Sequence, residues 1–453
     1  MRMKLMIRKQ GGSVMHRVGF FVVVAVMLTA PTATAEWRHY EVDSVTENLL
    51  PRVRMQGRVP HIAFYSDAGL EYAVWDSAGW VRETVDITTS NHNGNPSLVF
   101  DRDGHPHIAW FRGTPWYARW DGSTWLTEEI DSDSSGDYIS MVLDDAGIPR
   151  VAYSKRRGMF GFMLKFAERD SQGWHPALLD SVGGADCVLA IDTLGRFCIS
   201  HCQSWSSGAL YFTAQTESGW VKETVVPDNA SQSKMVLDES GNPHISYFGS
   251  RGDDGDLCYA ERVGGAWRTD IVDPGPPGCK RGWDNWIARD RSGTYHISYH
   301  AHNEGQLRYA RGTYGNWQSE FVNSVGGWNV GSSIGLDELD RPVIAYVHED
   351  QAFRLYLSAA YDLTGVEDPA RGGRAKAGPE AATIIRGALR LPVSLFTIHT
   401  SLFDMTGRQV MALHPGTNDV RALAPGVYFV REQSAFSSQR SGSTGVRKVV
   451  AQR

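Results

Sequence analysis

The sequence predicts an all-β fold assembled from a repeated unit of four short strands, and three observations predict it. Similar short segments return along the chain, strand-forming aromatic residues accompany many turn residues, and the main body lacks the apolar period of a helix. The chain has 453 residues, including 47 Gly, 15 Trp, 17 Tyr and 17 Phe. This composition favours a turn-rich β protein, and the length indicates one large domain and a smaller one.

The first 35 residues are typical of a secretory signal peptide. Basic residues up to Arg17 precede the apolar run 18–30, and Ala33-Thr34-Ala35 forms a cleavage site of small residues before Glu36. The apolar run is short for a membrane span, and no later stretch is apolar enough to cross a bilayer. We therefore expect a soluble, exported chain with no transmembrane segment after cleavage.

The second strand of the unit recurs seven times at a spacing of 43 to 52 residues. Its copies are PHIAF (60–64), PHIAW (106–110), PRVAY (149–153), FCISH (197–201), PHISY (243–247), YHISY (295–299) and PVIAY (342–346). The strand before it usually ends in an Asp, which is followed in five copies by x-x-Gly. Asp bonds its own backbone in such a turn and Gly accepts a positive φ, so we interpret the motif as structural.

A third strand follows, as in LEYAVW (70–75), and a fourth opens at a Trp, as in WVRETVD (80–86). Four short strands in every 40–50 residues is the pattern of a β-propeller blade. The seventh copy lacks a fourth strand, and WRHYEVD (37–43) matches the missing piece. We therefore predict a seven-bladed β-propeller over 36–361, closed by the N-terminal strand so that no sheet edge is left to pair with other chains. The fourth-strand Trp residues are then Trp37, Trp80, Trp125, Trp174, Trp220, Trp267 and Trp317.

The turn before the fourth strand carries a resemblance to a known family. DSAGW (76–80), DGSTW (121–125) and DSQGW (170–174) keep the Asp, Gly and Trp of a sialidase Asp-box, with a different spacing. On these residues the chain resembles secreted bacterial seven-bladed propellers grouped with the BNR or sialidase-like repeats. The arginine triad, Tyr and Glu of a sialidase cannot be identified, so the resemblance implies an architecture and not hydrolysis.

A second resemblance lies at the C-terminus. SLFDMTGRQVMAL (401–413), LAPGVYFVRE (423–432) and VRKVVAQR (446–453) are similar to the type A sorting domain of the type IX secretion system. The resemblance implies a small β-sandwich over 386–453 after a linker at 362–385. It also implies export through the periplasm by the type IX machinery of Bacteroidetes-like bacteria, with the protein secreted or attached to the outer-membrane surface.

The charge of the chain limits its possible binding partners, and its cysteine content limits its possible disulfides. Residues 36–361 carry 28 Lys and Arg against 44 Asp and Glu, whereas 362–453 carry 12 against 7. An acidic main body argues against nucleic acid or an anionic membrane as partner, and we expect a monomer. Export permits disulfides. Topology predicts that Cys187 can pair with Cys202 and Cys258 with Cys279, which leaves Cys198 free.

Connectivity divides the loops of such a fold between two faces. The first-to-second and third-to-fourth turns are short and repetitive. The second-to-third loops and the connections between blades vary in length and chemistry, and they share the opposite face, here called the variable-loop face. Function tends to lie on variable loops above a rigid scaffold, so we expect a ligand site there.

Aromatic and basic residues distinguish the variable-loop face. The candidate ligand-binding residues are Trp205, Trp283, Trp286 and Trp328, with Arg156, Arg157, Arg251 and Lys280 alongside. Sugars present apolar C–H faces that stack on rings and hydroxyls that bind charged partners, so this combination favours glycan binding. The alternative is that these Trp side chains only pack the mouth of the central channel.

Histidines and acidic residues add further candidates. His201, His300 and His302 lie on the variable-loop face, where a general base or metal ligand could come from them. Asp253, Asp254 and Asp256 could hold Ca²⁺ or form a solvated turn, and no other cofactor is expected. Four more histidines share one register, which predicts a packing column between blades and not a metal cage: His61, His107, His244 and His296.

Three functions remain open at this point. The preferred hypothesis is a propeller that binds an extracellular ligand, a glycan in the first place, through the variable-loop face. The alternatives are a secreted polysaccharide lyase or sialidase-like glycoside hydrolase that uses His and Arg of that face, and a scaffold for a protein partner. No catalytic residue can be assigned from the sequence, and binding is favoured over catalysis because a binding site needs only rings and donors.

Overall fold

The computed structural model describes most of the chain from residue 36 onwards. The described residues of the main body are 36–45, 50–77, 79–87, 95–158, 161–252, 254–326, 331–349, 352–364 and 366. The described residues beyond it are 383–385, 388–391, 398–404, 408–413, 416–421, 423, 426–434 and 446–451. The predicted signal peptide, most of the predicted linker, Trp328 and Asp253 lie outside the described residues.

The described main body is almost entirely β-structure, in five four-stranded sheets and one seven-stranded sheet. The first strand is β1 (Arg38–Ser44). One sheet then contains β2 (Arg52–Gln56), β3 (Val59–Ser66), β4 (Gly69–Asp76) and β5 (Gly79–Asp86). A second contains β6 (Ser97–Phe100), β7 (Pro106–Arg112), β8 (Thr114–Trp120) and β9 (Trp125–Glu129). A third contains β10 (Ile139–Leu143), β11 (Pro149–Arg157), β12 (Gly161–Asp170) and β13 (Gly173–Asp180).

The seven-stranded sheet joins two sets of strands through one long strand. It contains β14 (Ala185–Ile191), β15 (Phe197–Cys202), β16 (Gly208–Thr216), β17 (Gly219–Leu237), β18 (Pro243–Arg251), β19 (Asp254–Val263) and β20 (Ala266–Asp273). Residues 219–230 of β17 pair with β16, and residues 230–237 pair with β18. The strand β17 is therefore the fourth strand of one set and the first strand of the next.

Two more sheets complete the main body. One contains β21 (Arg281–Arg289), β22 (Tyr295–Ala301), β23 (Gln306–Thr313) and β24 (Asn316–Ser324), with a 3₁₀ turn at His302–Glu304. The other contains β25 (Ser332–Leu336), β26 (Pro342–Glu349) and β27 (Phe353–Ala359). Its fourth member is β1, which pairs antiparallel with β27 from Arg38 opposite Ala359 to Ser44 opposite Arg354. The N-terminal strand thus lies where the repeat pattern predicts a fourth strand.

Tryptophans at the start of fourth strands join neighbouring sheets. Each of six lies edge-on against an aromatic ring in the third strand of the preceding set of four strands, with ring centroids 5.0 to 5.5 Å apart. The pairs are Trp37 with Tyr309, Trp125 with Tyr72, Trp174 with Tyr117, Trp220 with Phe166, Trp267 with Phe212 and Trp317 with Tyr259. Trp37 therefore makes the same kind of ring contact as five other fourth-strand tryptophans, although it precedes them all in sequence.

The first strands of the sets face one another at the centre. Contacts run from β2 through β6, β10, β14, β17 and β21 to β25, and β25 contacts β2 again. Second strands are the most buried, and all eight residues of β3 are inaccessible. The starting ends of the first strands lie at the variable-loop face, because the connections between sets enter there.

The repeated motif has the structural role that its sequence predicts. Asp101 accepts hydrogen bonds from the backbone N–H groups of Asp103 at 2.9 Å and His105 at 2.8 Å, and Gly104 has φ 83°. The four registered histidines each bond the hydroxyl of a third-strand tyrosine through Nδ1, at 2.5 to 2.6 Å. The pairs are His61 with Tyr72, His107 with Tyr117, His244 with Tyr259 and His296 with Tyr309. These bonds lie within one set of strands, and His61 and His244 also contact Phe100 and Tyr295 of the next set. A packing column through all the sets stays a prediction.

The disulfide prediction is wrong in this structure, because all five cysteines are free thiols in buried positions. The Cys187 Sγ lies 3.6 Å from the Tyr138 carbonyl oxygen and 3.7 Å from that of Ala152. The Cys279 Sγ lies 3.1 Å from Glu304 Oε1. Placement at a common rim did not bring the sulfurs together, because each thiol packs against a neighbouring strand or loop instead.

The described part of the C-terminal region is a separate group of strands. Its strands are β28 (Thr383–Ile385), β29 (Ala388–Leu391), β30 (Ile398–Asp404), β31 (Gln409–Leu413), β32 (Gly416–Asp419), β33 (Gly426–Ser434) and β34 (Val446–Ala451). Five form a sheet in the order β28-β34-β33-β30-β31, and β29 pairs with β32. Leu402, Leu413, Val420 and Tyr428 are buried together. The sorting-domain assignment stays a prediction.

Nowhere in the described residues is there a helix with the length and hydropathy needed to cross a membrane.

Candidate functional site

Three loops of the variable-loop face are bonded into one rim beside β18 to β23. The Gly255 N–H donates to the Cys279 carbonyl oxygen at 3.1 Å, and the Gly278 N–H donates to Asp254 Oδ1 at 2.6 Å. The His302 N–H donates to the Lys280 carbonyl oxygen at 2.9 Å. These bonds place residues from the β18–β19 hairpin, the connection before β21 and the turn after β22 side by side.

Five of the predicted candidates lie in this rim, and we call them the rim cluster: Arg251, Lys280, Trp283, His300 and His302. The Trp283 ring lies 4.8 Å from the His302 ring, centroid to centroid, and the Lys280 Nζ lies 5.7 Å from the Trp283 centroid. His300 and His302 are 5.5 Å apart. The Arg251 guanidinium donates to Asp256 at 2.7 Å and to the Gly275 carbonyl oxygen at 3.1 Å.

Burial makes the loop-face histidines weak bases. Burial and the neighbouring His302 lower the pKa of His300 to about 3, and burial lowers the pKa of His201 to about 4. Burial and the Lys280 charge also lower the pKa of His302. A general base works best when its pKa lies near the operating pH. These histidines are therefore neutral at pH 7 and poorly matched to proton abstraction there.

The remaining candidates lie elsewhere on the same face. Arg156 pairs with Asp137 at 2.7 Å, and Arg157 donates to the Ser181 carbonyl oxygen at 2.9 Å. Trp205 is 41% exposed, which makes it the most accessible of the candidate tryptophans that the structure describes. His201 is fully buried and bonds Thr213 Oγ1 at 2.9 Å. No described ring contact or hydrogen bond joins His201 to the rim cluster.

The acidic loop is engaged with its neighbours. Asp256 is buried and accepts from Arg251 and from the Gly275 N–H, the latter at 2.9 Å. Asp254 accepts from Gly278, as described above. Because these carboxylates bond protein donors, a Ca²⁺ ion would have to compete with them. The Ca²⁺ site stays a prediction.

A second group of polar residues, which we call the central cavity, lies at the starting ends of the first strands. Two adjoining cavities of about 20 and 10 Å³ are both lined by Arg52, Asp186, Lys234 and Trp286. Asp284 lines the smaller of the two. Of these five residues, only Trp286 was a candidate from the sequence. The Arg52 guanidinium lies over the Trp286 ring, 3.3 Å from its centroid.

Three neighbouring first strands share an unusual backbone bulge at this cavity. Asp186, Gln232 and Asp284 have φ of 52°, 55° and 47°, although none is glycine. The pairing register shifts around each of them. The Gln232 N–H donates to Asp186 Oδ2 at 3.0 Å, and the Asp284 N–H donates to Gln232 Oε1 at 2.7 Å. Such strained residues cluster at functional sites, and bulges re-aim side chains.

The central cavity contains one ion pair and two further ionisable residues with shifted pKa values. The Lys234 ammonium lies 3.4 Å from Asp186 Oδ1. Burial and the Asp186 charge raise the pKa of Asp284 to about 7, although Lys234 acts in the opposite direction. Burial, with the charge of Arg54, lowers the pKa of Arg52. The sequence contains one usable signal of this site, because Arg52 and Lys234 are long cations within strands that face the centre.

Comparison with known proteins bears on the fold. No family model and no curated protein matches the chain. The chain is similar to an ulvan lyase of polysaccharide lyase family PL25, bound to GlcA(1-4)Rha3S, with a TM-score of 0.50 and 14% identity. That similarity covers 71% of this chain and 96% of the lyase. A lectin of Aleuria aurantia, studied as a mutant with Fucalpha1-6GlcNAc, has a TM-score of 0.43 and 14% identity over 62% of this chain and 98% of the lectin. At such identities the lyase similarity shows a β-propeller-like fold alone.

Proposed function

We propose that this protein is an exported, closed seven-bladed β-propeller that binds a glycan through its variable-loop face. Three features support a seven-membered ring. Strand β1 completes the sheet of β25 to β27, Trp37 packs on the preceding sheet as the other fourth-strand tryptophans do, and β25 contacts β2. Counting β17 twice, the described strands supply seven sets of four.

The rim cluster is the observation that carries the proposal of glycan binding. The Trp283 ring and the Lys280 ammonium lie 5.7 Å apart where three loops are bonded together, the Arg251 guanidinium lies on one of these loops, and the exposed Trp205 lies on the same face. Rings that stack on sugar C–H faces beside donors for hydroxyls are what a saccharide site requires. Because the loops are tied by backbone bonds, the site is already organised before ligand arrives.

Binding is favoured over catalysis by the state of the histidines. A lyase or hydrolase that used a histidine of this face as its base would need that histidine to have a pKa near neutrality, whereas His201 and His300 have pKa values of about 4 and 3. The lyase or hydrolase remains the alternative that the same experiment tests, since a reducing-end assay reports cleavage directly. A protein partner is the third possibility.

We also propose the export route that the terminal segments indicate. The leader and the three C-terminal motifs together support passage through the periplasm and the type IX machinery, with the propeller released or held at the cell surface. Deleting 386–453 should retain the protein in the periplasm. Undiminished appearance of the truncated protein outside the cell would contradict this route.

Glycan binding is tested on the mature chain with a glycan array and a parallel reducing-end assay. Trp205→Ala and Lys280→Ala should each weaken binding about tenfold, since each removes one ring or charge from the proposed surface. Tyr314→Ala is the matched control, because Tyr314 is a 37% exposed aromatic at a third-to-fourth turn of the opposite face. Equal loss in all three variants, or binding to no glycan, would refute the proposal.

A further inference from the structure

We infer that the central cavity is an oxyanion site in which Arg52 receives a carboxylate or sulfate group. If the protein binds a glycan as proposed above, the inference assigns it an acidic saccharide, and that part rests on the proposed function. The oxyanion site itself rests only on the cavity and its charges.

Arg52 is a buried guanidinium that lacks a counter-ion among the described residues. Its side chain is 5% exposed, and its Nε and Nη1 atoms have no hydrogen-bond partner there. Stacking on Trp286 covers one face of the guanidinium and satisfies none of its in-plane donors. A buried charge without a partner is costly, and a planar fork of N–H donors matches a carboxylate or sulfate.

The two acidic residues of the cavity form their contacts with groups other than Arg52. The Asp186 carboxylate accepts from the Gln232 N–H at 3.0 Å and lies beside the Lys234 ammonium. Asp284 is held through its backbone, which donates to Gln232 and accepts from Ser332 Oγ at 3.0 Å. In its protonated form the Asp284 carboxyl would offer a donor to an anion. Neither carboxylate forms a described ion pair with Arg52.

The dimensions of the cavity limit what can enter. Cavities of about 20 and 10 Å³ each have room for about one water molecule. A sugar ring is too large for this space, whereas a small charged substituent needs the room of about two waters. The saccharide ring would therefore stay among the loops, and only its anionic group would reach Arg52.

The rim cluster and the central cavity are joined by one strand. Trp283 belongs to the rim and Trp286 to the cavity, and the bulge at Asp284 lies between them on β21. Successive residues of one strand therefore contact both parts of the proposed ligand. The Asp284 N–H donates to the Gln232 side chain and the Gln232 N–H donates to the Asp186 carboxylate, so the strained backbone of these three strands is held in place and the cavity wall is preorganised.

The direct test uses crystals of the full mature chain soaked in sodium selenate, an anomalous scatterer that substitutes for sulfate. We expect an anomalous peak within hydrogen-bond distance of the Arg52 Nε or Nη1 atom. A carboxylate of the chain itself seated on Arg52, or no peak there, would overturn the inference. The crystal measurement needs no variant, so it stands even where a substitution impairs folding.

Solution measurements separate a specific site from general salt effects. Sodium sulfate should raise the Tm of the wild-type chain more than sodium chloride of equal ionic strength does. Arg52→Met should keep only the part of this difference that comes from the general exclusion of sulfate from protein surfaces. It should also bind sulfate about 10- to 100-fold more weakly, because a charge-assisted bond is removed. Arg289→Met is the matched control, since Arg289 lies at the far end of first strand β21. An unchanged difference in Arg52→Met would overturn the inference.

The glycan array separates the sources of the anion and the two proposals. Uronate-bearing, sulfated and neutral saccharides are compared on wild type and Arg52→Met. Selective loss of acidic ligands by the variant supports the inference, and the class that is lost identifies the group. If the protein binds only neutral saccharides and Arg52→Met binds them equally well, the inference is wrong and the proposed function stands. Selenate at Arg52 without any glycan binding sinks the proposed function and keeps the oxyanion site.

Discussion

Histidines in the repeated register and histidines of the variable-loop face differ in the hydrogen-bond partners of their rings. His244, in the register, bonds the Tyr259 hydroxyl at 2.5 Å and stacks on Tyr295. His300, on the loop face, is fully buried, and its pKa lies at about 3. A polar residue that recurs with the blade has a partner supplied by the repeat. His300 departs from the repeat and has no tyrosine partner of this kind among the described residues, so its position indicates a site more strongly than recurrence does.

The largest effect should come from breaking a polar contact that the repeat supplies. Asp131 accepts from Lys165, Ser134 and Tyr153, and all four are buried. Asp131→Ala should lower the free energy of unfolding by about 3–5 kcal/mol, because it leaves the Lys165 charge buried and unpaired. Chemical denaturation measures this. Asp133→Ala, which removes an exposed partner of Lys155, should change it by less than about 1 kcal/mol. Similar losses of unfolding free energy in both variants would contradict the distinction between the buried and the exposed ion pair.

Asp284 should give the next largest effect, through pH. Its folded pKa is raised to about 7, so its contribution to stability is fully present below its ordinary value near 3.8 and is lost as pH rises towards 7 and above. Asp284→Asn should therefore be more stable than wild type at pH 8 by about 2–4 kcal/mol, and equal near pH 4. Denaturation curves at both pH values check this, and a difference that does not depend on pH would contradict it.

His300 should make the protein less stable as pH falls, whereas Asp284 makes it less stable as pH rises. Its folded pKa is lowered to about 3, so its contribution is present above its ordinary value near 6.5 and is lost as pH falls towards 3. At pH 5 the loss should be about 2 kcal/mol. His300→Leu should remove that part of the pH dependence, as denaturation midpoints between pH 5 and 7.5 would show. Parallel profiles for the two proteins would mean that His300 is not buried in its neutral form.

The smallest effect should come from one repeated turn. Asp101→Ala loses two hydrogen bonds from backbone N–H groups and should lower the free energy of unfolding by about 1 kcal/mol. Ligand binding should be unchanged, because the turn lies on the face opposite the loops. Weaker glycan binding in this variant would place part of the site on the turn face.

The repeats allowed much of the fold to be predicted, and the candidate site only in part. The second strands, the Asp turns and the histidine column follow from residues that recur at fixed spacing. Trp283 and His302 lie near one another because the start of the first strand and the loop after the second strand of one set share a face, and the sequence predicted only the face. The cysteine pairs were not, since a shared rim does not specify side-chain directions. Arg52 was missed because RVRMQ (52–56) reads as an ordinary half-exposed strand.

The sequence by itself determined the four-stranded unit and the N-terminal strand that pairs with β27, because periodic burial selects periodic residues. Only the tertiary structure decided which polar residues lie together at the centre. Asp186, Gln232 and Asp284 adopt left-handed backbone without a glycine to signal it, and each hydrogen bond between them crosses nearly fifty residues of chain. Such contacts arise where first strands from separate sets of strands lie side by side, which no local pattern encodes.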